Sequence, residues 1–357
     1  MDKRLPSAAA PTDHRSPAAV TIDDIARVAG VHPASVSRAL RGNRTKVSEA
    51  TRTRIEGIAR ELGYRPNAVA VSLRTKQTHL AAIVLPPLGL GNPMFAPLVQ
   101  NLETQLRVHG MMCLVAQMPQ GQEGRAELIT ALANRQVDGL LVLAAQEEED
   151  PMLAEVLRLR IPTVLVNRGI EERRFPSVVN DDRESARLVL QHLQALGHRA
   201  IAHVAGPRES STGRARRQAF EWLAARDGLH APVVEASAFT REAGRIATQA
   251  LFAAETGITA VFAANDLIAL GVLDVLHARG LRVPGDVSLV GHNDVPMVDL
   301  IDPPLTTVRV DVSEMGRQAA QLFLEHLGTP GLPPSMRVLT PEMVVRRSTG
   351  PAAAALR

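Results

Sequence analysis

A short helical segment near the N-terminus carries the side chains best suited to reading DNA. Val36, Ala39 and Leu40 recur at a spacing that turns one helix face inward. The opposite, outward face is then formed by Ala34, Ser35, Ser37 and Arg38. Small side chains there would let the helix backbone approach the floor of the major groove, and Arg38 is long enough to reach a guanine edge, a contact worth ~1–3 kcal/mol of discrimination. The alternative is an ordinary three-helix bundle with Arg38 simply solvated.

Two further predicted helices position this segment. Thr21 is a good N-cap for the first helix, which ends at the turn that Gly30 allows. Pro33 suits the first position of the second helix, and Ser48 caps a third. The apolar positions are Ile25, Ala26, Val28 and Ala29 in the first helix and Ile55, Ile58, Ala59 and Leu62 in the third. A helix, a glycine turn, a short helix and a supporting helix together predict a helix-turn-helix unit.

The distribution of charge fits this interpretation better than the total charge does. Residues 1–76 carry 14 Lys and Arg against 7 Asp and Glu, a local net charge of +7. The whole chain carries +3, so the remaining residues carry −4. A basic head on a mildly acidic body indicates that the head meets a polyanion, although a solvated basic face would look the same.

Several other classes of protein are disfavoured. Cys113 has no second cysteine for a disulfide or a metal site, and we expect a buried structural thiol. No apolar run is long enough to span a membrane, and Pro6, Pro11 and Asp13 interrupt any secretory core. Phosphate-loop, metalloprotease and nucleophile-elbow motifs are lacking, so we expect no enzyme, no cofactor and no metal. The expected location is the cytoplasm.

The strings VTIDDIARVAGVHPASVSRALRG (20–42) and VSEATRTRIEGIARELGYRPNAVAVSLRT (47–75) resemble the headpiece of the lactose/galactose repressor (LacI) family. The resemblance implies DNA contacts from the headpiece residues Thr21, Pro33, Ala34, Ser35, Ser37 and Arg38. One departure is His32, where most members carry a serine or threonine cap. Since imidazole caps a helix less well, we expect a looser start to the second helix, or one that depends on Pro33.

The segment after Pro66 resembles the hinge helix of that family. Val69, Ala70 and Leu73 form one apolar stripe of barely two turns, which is marginal as an isolated helix. The resemblance implies that two such helices pair in a dimer and insert Leu73 into the minor groove, beside Ala70, while Asn67 and Arg74 approach phosphates. The alternative is an ordinary interdomain linker.

The body alternates short apolar runs with helical stretches, which predicts parallel sheets in two subdomains beside a cleft. The predicted strands are 80–85, 113–117, 139–143, 163–166, 200–205, 260–263 and 287–291, and the predicted helices are 94–108, 185–196, 214–226 and 267–279. The motifs GNPMF, LGHRAIAHVAGP, SSTGRARRQAF, FAANDLIALGVL, PGDVSLVGHND and PPLTTVRVDVSEMG also resemble the family in order. This implies a periplasmic-binding-protein-like effector domain, with segments near 310–340 returning the chain to the first subdomain.

The same resemblance implies an effector site on loops and strand ends. Its residues are Asn92, Met94, Phe95, Arg168, Asn180, Ser210, Thr212, Arg216, Asn265 and Asn293. Asn180 and Asn293 stand where many members have aspartate, which makes the cleft more positive beside Arg168 and Arg216. Paired arginines suit carboxylate or phosphate, so we expect an acidic effector. With aromatic residues at 3% of the chain, extensive ring stacking is not expected.

The fold class is therefore an all-α helix-turn-helix headpiece (20–65) with a hinge helix and linker (66–79), then a two-lobed α/β effector-binding and dimerisation domain (80–349). Residues 1–19 and 350–357 are expected to be flexible tails, and the acidic run 147–150 a solvated loop. The leading function is a ligand-responsive repressor of a carbohydrate or sugar-acid operon. Its expected partners are double-stranded palindromic operator DNA, a sugar, sugar-acid or sugar-phosphate effector, and a second copy of the chain, since no heptad tail for a tetramer follows Arg347. A solute-binding transport protein and an enzyme are the alternatives, disfavoured by the headpiece and by the lack of catalytic motifs.

Overall fold

A computed structural model of the protein describes residues 20–40, 47–64, 77–87, 89–120, 122–146, 150–170 and 174–352. The chain divides into two compact units, Met1–Lys76 and Gln77–Arg357. The hinge residues Asn67, Ala70, Leu73 and Arg74 lie outside the described ranges, as do both predicted tails except for 350–352.

The first unit is built from α1 (Ile22–Ala29), α2 (Pro33–Leu40) and α3 (Glu49–Glu61). Their small core contains Ile25, Ala26, Ala29, Val36, Ala39, Ile55 and Ala59. Val28 and Leu62, both expected to face inward, are instead 54% and 37% exposed. Three short helices enclose too little volume to bury every apolar position of their sequence pattern, so these two residues remain at the surface.

The first sheet of the second unit is entirely parallel, in the order β11-β5-β4-β3-β1-β2. Its strands are β1 (Leu80–Leu85), β2 (Met112–Gln117), β3 (Gly139–Val142), β4 (Thr163–Val166), β5 (Ser177–Asn180) and β11 (Met336–Leu339). The accompanying helices are α4 (Phe95–Val108), α5 (Arg125–Asn134), α6 (Pro151–Leu159) and α11 (Val312–Gly328). We call this sheet and these helices the first lobe.

The second lobe is built on a sheet in the order β12-β10-β9-β8-β6-β7, parallel except for β12. Its strands are β6 (Ile201–Ala205), β7 (Val233–Glu235), β8 (Ala260–Ala263), β9 (Ser288–Asn293), β10 (Thr306–Arg309) and β12 (Glu342–Val344). Its helices are α7 (Asp182–Ala195), α8 (Ser211–Arg226), α9 (Arg241–Ala254) and α10 (Asp266–Ala278). The fold class expected from the sequence is thereby confirmed for the described residues.

The chain crosses between the lobes three times, after β5, after β10 and after β11. The second crossing brings α11 onto α4 and onto the first sheet, so the expected return near 310–340 is confirmed. Because the crossings follow the carboxyl ends of strands, the loops at those ends line the space between the lobes.

Close packing of α9 on α10 depends on glycine. A Cβ atom on Gly271 would overlap the Arg241 carbonyl oxygen, and one on Gly244 would lie 2.7 Å from the Ile268 carbonyl oxygen. Both approaches are far closer than contact distance, so only glycine permits this helix spacing. This close packing fixes the position of α10, the helix that follows β8, and α10 begins at the cavity described below.

Two expectations of detail need correction, and some short strands were not predicted. The acidic run 147–150 is not wholly solvated, since Asp150 is buried and its carboxylate lies 2.5 Å from an Arg125 guanidinium nitrogen. Cys113 is only partly buried, although burial still raises the pKa of its thiol to about 11. Short strands such as β5, β7, β11 and β12 escaped the sequence pattern because three or four residues are too few to show a period.

Candidate DNA-recognition helix and interlobe cavity

Hydrogen bonds from side chains fix the start of α1. The Thr21 hydroxyl accepts from the Asp24 backbone N–H, and the Asp24 carboxylate accepts from the Thr21 backbone N–H at 3.0 Å. This reciprocal capping box also engages the Thr21 hydroxyl proton, which is donated to Asp24 at 2.7 Å. Thr21 therefore holds the helix that supports α2, and its hydroxyl already has both a donor and an acceptor.

The start of α2 is capped by the residue expected to cap it poorly. His32 Nδ1 accepts a hydrogen bond from the Ala34 backbone N–H at 3.2 Å. The imidazole thus satisfies one of the free N–H groups of the first turn. Pro33 occupies the first helical position, where its missing N–H costs nothing. The two residues together give α2 a defined start.

Arg38 is the one long cationic side chain that α2 carries. It is exposed, and no hydrogen bond or ion pair joins it to another described residue. By contrast, Arg27 on α1 donates to Asp24 at 2.9 Å. The structure places Ala34, Ser35 and Ser37 in intermediate burial beside Arg38 on the same short helix.

A cavity of about 650 Å³ opens between the two lobes of the second unit. It brings together nine of the ten residues expected to bind effector: Asn92, Met94, Phe95, Arg168, Ser210, Thr212, Arg216, Asn265 and Asn293. They come from the last residue of β9 and from the loops and following helices after β1, β4, β6 and β8, and they meet because the parallel strands of each sheet end on the side of the cavity. We call this space the interlobe cavity.

Asn180 does not join the other nine. It lines a separate crevice with Trp222, and its amide nitrogen donates to Ser185 Oγ at 3.0 Å. The end of β5 turns at once into α7, which belongs to the second lobe. Because this crossing is so short, the Asn180 side chain is directed to the α7 side and away from the interlobe cavity.

Several of the cavity residues also hold their own loops. Asn92 Oδ1 accepts from the Met94 backbone N–H at 3.1 Å, and Asn265 Oδ1 accepts from the Ile268 backbone N–H at 2.8 Å. The Asn265 bond caps α10 at the cavity edge. Since the oxygen of each amide is used in this way, the NH₂ group is the part that remains to serve a ligand.

Arg216 is buried and already paired. Its Nε donates to Asp182 at 2.7 Å, and another guanidinium nitrogen donates to the Ala264 carbonyl oxygen at 2.5 Å. Burial raises the pKa of the Asp182 carboxyl, and the adjacent guanidinium opposes that rise. The expected pair of free arginines is therefore reduced to one, because the Arg216 charge is balanced within the protein.

Arg168 is the cavity cation that lacks an anionic partner among the described residues. It is 8% exposed, and its Nε finds no acceptor there. Burial, together with the charges of Arg125 and Arg216, lowers the pKa of its guanidinium to about 10, and the more distant Asp150 only partly opposes this. At neutral pH the side chain is thus still charged, in a place where a buried charge is unfavourable unless an anion joins it.

An aromatic wall faces this guanidinium. Arg168 Cζ lies 6.0 Å from the centroid of the Phe239 ring, and Phe95, the first residue of α4, also lines the cavity. The ring of Phe239 occupies the space that a Cβ on Gly206 would need. The low aromatic content suggested little ring stacking, yet two of the chain's seven phenylalanines line this one cavity.

Other lining residues were not predicted from the sequence. They are Gln120, Gln146, Asn167, Glu209, Phe239 and Thr240. Phe239 follows β7, a strand of three residues whose pattern could not be recognised. Asn167 directly follows β4 and precedes Arg168, so its position at a strand end is the signal that could have indicated it. Glu209 is exposed, which leaves its charge screened by water.

The backbone at the end of β9 is strained. Asn293 has φ 112° and Asp294 has φ 56°, values that residues with a Cβ rarely adopt. The buried carboxylate of Asp266 accepts from Thr307 Oγ1 and from the Val295 backbone N–H, which holds this turn in place. Burial raises the pKa of Asp266 to about 7. In this strained conformation Asn293 lies at the edge of the cavity, beside the second crossing between the lobes.

The described ranges contain neither a membrane span nor a metal cluster. None of the helices in these ranges has the length and apolar character that a bilayer crossing requires. Within the same ranges, no group of histidine, cysteine and acidic side chains is arranged to hold a metal ion.

Comparison with known families finds two matches along the chain. Residues 21–67 match the model described as bacterial regulatory proteins, lacI family, and residues 190–349 match a periplasmic binding protein-like domain. The two matches cover α1 to α3 in the first unit and most of the second lobe.

Curated relatives match almost the whole chain. The HTH-type transcriptional repressor CytR of Escherichia coli K12 is 31% identical, over 93% of this chain and 96% of its own length. The HTH-type transcriptional regulator MalR of Streptomyces coelicolor is 36% identical, over 92% and 96%.

Solved structures agree in fold. The lac repressor dimer bound to operator and the anti-inducer ONPF has a TM-score of 0.83 at 26% identity, covering 93% of this chain and 99% of that one. The transcriptional regulator CelR in complex with cellobiose has a TM-score of 0.71 at 31% identity, covering 92% and 99%.

Proposed function

The chain belongs to the lacI family of bacterial regulatory proteins, and we propose that it represses an operon for the use of a carbohydrate or sugar acid. As a member it is a ligand-responsive, DNA-binding transcriptional regulator and not an enzyme. The finer proposal is an acidic effector. One observation carries it: the buried, charged Arg168 has no anionic partner among the described residues, in a cavity otherwise rich in amide, hydroxyl and aromatic groups.

The DNA contacts proposed for the headpiece depend on α2. Pro33, Ala34, Ser35 and Ser37 are small enough for the helix to lie deep in the major groove, and Arg38 is exposed and unpaired among the described residues. Thr21 is proposed as a further contact at the start of α1. A palindromic operator follows if two headpieces bind as a symmetric pair, one for each half-site.

Arg38→Ala tests whether Arg38 recognises the base sequence of the DNA. We expect it to lose preference for a duplex selected by the wild-type protein from a random library, while keeping most salt-sensitive binding to unselected DNA. Fluorescence anisotropy of both duplexes over a range of salt measures the two affinities. Arg60→Ala, an exposed arginine on α3, is the control and should leave the ratio of the two affinities unchanged. Equal loss on both duplexes by Arg38→Ala would refute the role.

The effector proposal follows from the size and charge of the interlobe cavity. A volume of about 650 Å³ is suited to a mono- or disaccharide-sized ligand. The NH₂ groups of Asn92 and Asn265, which bond to no described residue, can donate to sugar oxygens, and Phe239 offers an apolar face to a ring. A carboxylate or phosphate on that ligand would neutralise Arg168.

Isothermal titration distinguishes the effector classes. We expect galacturonate, or another sugar acid, to bind more tightly than the matching neutral sugar, and the difference to vanish in Arg168→Gln. Tight binding of a neutral sugar alone would overturn the acidic effector without affecting the DNA-binding role. An effector regulates only through its different affinities for the two closure states of the lobes.

The homodimer is supported by apolar residues left at the surface. Val108 at the end of α4 and Met112 at the start of the edge strand β2 are 76% and 73% exposed. On the second lobe Ile246, Met297 and Leu300 are 54–75% exposed. Exposed apolar side chains, one of them on the edge strand β2, suit contact with a second copy of the chain, and the lac repressor is a dimer in its operator complex. Sedimentation of the full chain as a monomer at micromolar concentration would contradict this.

A solute-binding transport protein is the second candidate, because the body matches the periplasmic binding protein-like domain. The headpiece favours the regulator. Specific binding of the selected duplex decides between them, since a transport protein has no use for operator DNA.

A further inference from the structure

His292 is a fully buried residue that lies behind the interlobe cavity and does not line it. It directly precedes Asn293 at the end of β9. Both of its ring nitrogens lie within hydrogen-bonding distance of a side chain: Nδ1 is 2.9 Å from Asn293 Oδ1, and Nε2 is 3.1 Å from Ser185 Oγ. His292 therefore joins a residue of the cavity to a polar group behind it.

The imidazole of His292 is neutral and carries a single proton. Burial, and after it the charge of Arg216, lowers the pKa of the ring well below its ordinary value, and the bond with Asn293 opposes this only in part. A neutral imidazole has one N–H donor and one acceptor nitrogen. The directions of its two hydrogen bonds are therefore linked, because Nε2 has to accept if Nδ1 donates.

The neighbouring groups decide which nitrogen holds the proton. Asn293 Oδ1 can only accept, so Nδ1 donates to it. Nε2 then accepts from the hydroxyl of Ser185, whose oxygen accepts from the NH₂ group of Asn180 at 3.0 Å. If the hydroxyl donated instead to the Asp181 carbonyl oxygen, also at 3.0 Å, Nε2 would need the ring proton, and two acceptors would face each other at Nδ1. That carbonyl already accepts the backbone N–H of Ser185.

A chain of hydrogen bonds with one direction results, from Asn180 through Ser185 and His292 to Asn293. It begins where the chain crosses between the lobes after β5, and it ends at the cavity. All four side chains are buried. Hydrogen bonds in such surroundings are electrostatically stronger than in water and polarise one another, so the orientation of each member depends on the others.

We propose that His292 is a positioning residue for the effector, which holds the amide of Asn293 with its oxygen turned into the protein and its NH₂ group towards the ligand. The proposal rests on the interlobe cavity being the effector site. Its consequence is that this wall of the cavity selects a ligand atom that accepts hydrogen bonds. Asn180, which lies outside the cavity, contributes as the first donor of the chain.

The strained backbone of Asn293 supports this role. A φ of 112° persists only where the surroundings fix the residue. The Asp266 carboxylate, which accepts from the Val295 backbone N–H, holds the turn, and His292 holds the amide. Because backbone and side chain are fixed by different groups, the amide does not turn to suit a ligand, and the ligand has to suit the amide.

The neighbouring strand end presents a second amide in the same way. Strands β8 and β9 are adjacent in the sheet, and Asn265 follows β8 as Asn293 ends β9. Asn265 Oδ1 accepts from the Ile268 backbone N–H, so its NH₂ group also remains for the ligand. Two NH₂ groups from adjacent strand ends are suited to a group that only accepts, such as a carboxylate.

The position of the His292 proton tests the proposal in the ligand-free protein. We expect long-range proton–nitrogen correlation spectra of the isotope-labelled full-length protein to show His292 protonated at Nδ1 and unprotonated at Nε2. The chain has 11 histidines, so the signals of His292 are assigned by their loss in His292→Phe, or in His292→Gln if phenylalanine prevents folding. A ring protonated at Nε2 would overturn the proposal, because Asn293 would then turn its NH₂ group to the ring and its oxygen to the ligand.

Calorimetry tests whether this orientation matters for binding. With galacturonate as the probe, His292→Phe should weaken binding by about three- to tenfold, the usual worth of one hydrogen bond. The matched control is His198→Phe, which removes another buried histidine of the second lobe, one that bonds to Thr259 and Ser288 and does not line the cavity. The control should keep wild-type affinity, and equal weakening by the two variants would contradict a positioning role.

This proposal and the acidic effector fail separately. If galacturonate does not bind the wild-type protein, the acidic effector is wrong, and the tautomer of His292 still decides which way Asn293 faces. If galacturonate binds, its titration should shift the side-chain NH₂ signals of Asn293, assigned by their loss in Asn293→Ser. Binding without that shift would overturn the role of His292 and leave the acidic effector standing.

Discussion

The unpaired guanidinium of Arg168 should make the ligand-free protein less stable, and replacing it measures that cost. Burial lowers the pKa of this group from its ordinary value to about 10. Because one pH unit in a pKa corresponds to ~1.4 kcal/mol, the charged form destabilises the native state by about 3 kcal/mol relative to its neutral form. The sign follows from a depressed pKa: the native state binds this proton less tightly than the unfolded chain does, so the destabilisation is fully present at pH values below about 10 and is relieved only as the pH rises above that value.

We therefore expect Arg168→Met to raise the free energy of unfolding by about 1–3 kcal/mol, the lower value allowing for imperfect packing of methionine. Urea unfolding followed by Trp222 emission reports on the second unit directly. The control is Arg158→Met, a 64% exposed arginine paired with Glu155, which should change stability by less than about 0.5 kcal/mol. A sugar acid should stabilise the wild type and not Arg168→Met.

Two outcomes would contradict an uncompensated charge at this position. If Arg168→Met lowers the free energy of unfolding, the guanidinium is compensated in the free protein and the cavity does not need an anion. If the variant keeps wild-type affinity for the sugar acid, the ligand's anionic group lies elsewhere.

Three further perturbations have expected outcomes. Leu73→Ala, in the hinge outside the described ranges, should weaken specific binding and DNA bending in an electrophoretic assay, whereas Val71→Ala should not. Wild-type DNA curvature with Leu73→Ala would exclude insertion of Leu73 into the minor groove. Asp150→Asn should lower the free energy of unfolding, measured in urea, by about 3–5 kcal/mol because it leaves Arg125 buried and unpaired. The apolar double variant R125M/D150L should recover most of that loss, and no recovery would mean that the pair does more than compensate charge. Burial lowers the pKa of His203 to about 4, so the protein should lose stability as the pH falls from about 6.5 towards 4, by about 2 kcal/mol at pH 5. His203→Gln should remove this part of the pH dependence of stability, and an unchanged slope would show that other groups cause it.

The headpiece could be predicted from sequence because its signals are local. The Thr21 cap, the Gly30 turn and the apolar spacing of α1 to α3 all act within a few residues, and the structure has each of them. The errors of the sequence prediction in the headpiece concern burial. The exposure of Val28 depends on how much of its surface the two other helices cover, which no local sequence pattern contains. The His32 cap was underestimated because helix-capping preference describes an average residue and not this imidazole.

Patterns along the chain were enough to predict the two-part architecture and the alternation of strands and helices, whereas the resemblance to the family implied most of the residues that gather at the interlobe cavity. Parallel strands bring their carboxyl ends to one edge of a sheet, which is the physical reason why these residues meet. Which charges remain free became apparent only in the folded chain. Arg216 meets Asp182 across 34 residues of sequence, and the carboxylate balances its charge, whereas Arg168 pairs with no acid among the described residues. Asn180 leaves the cavity because the chain changes lobe at that point. Pairing and burial are set by contacts between distant segments, and the electrostatics of the site follow from them.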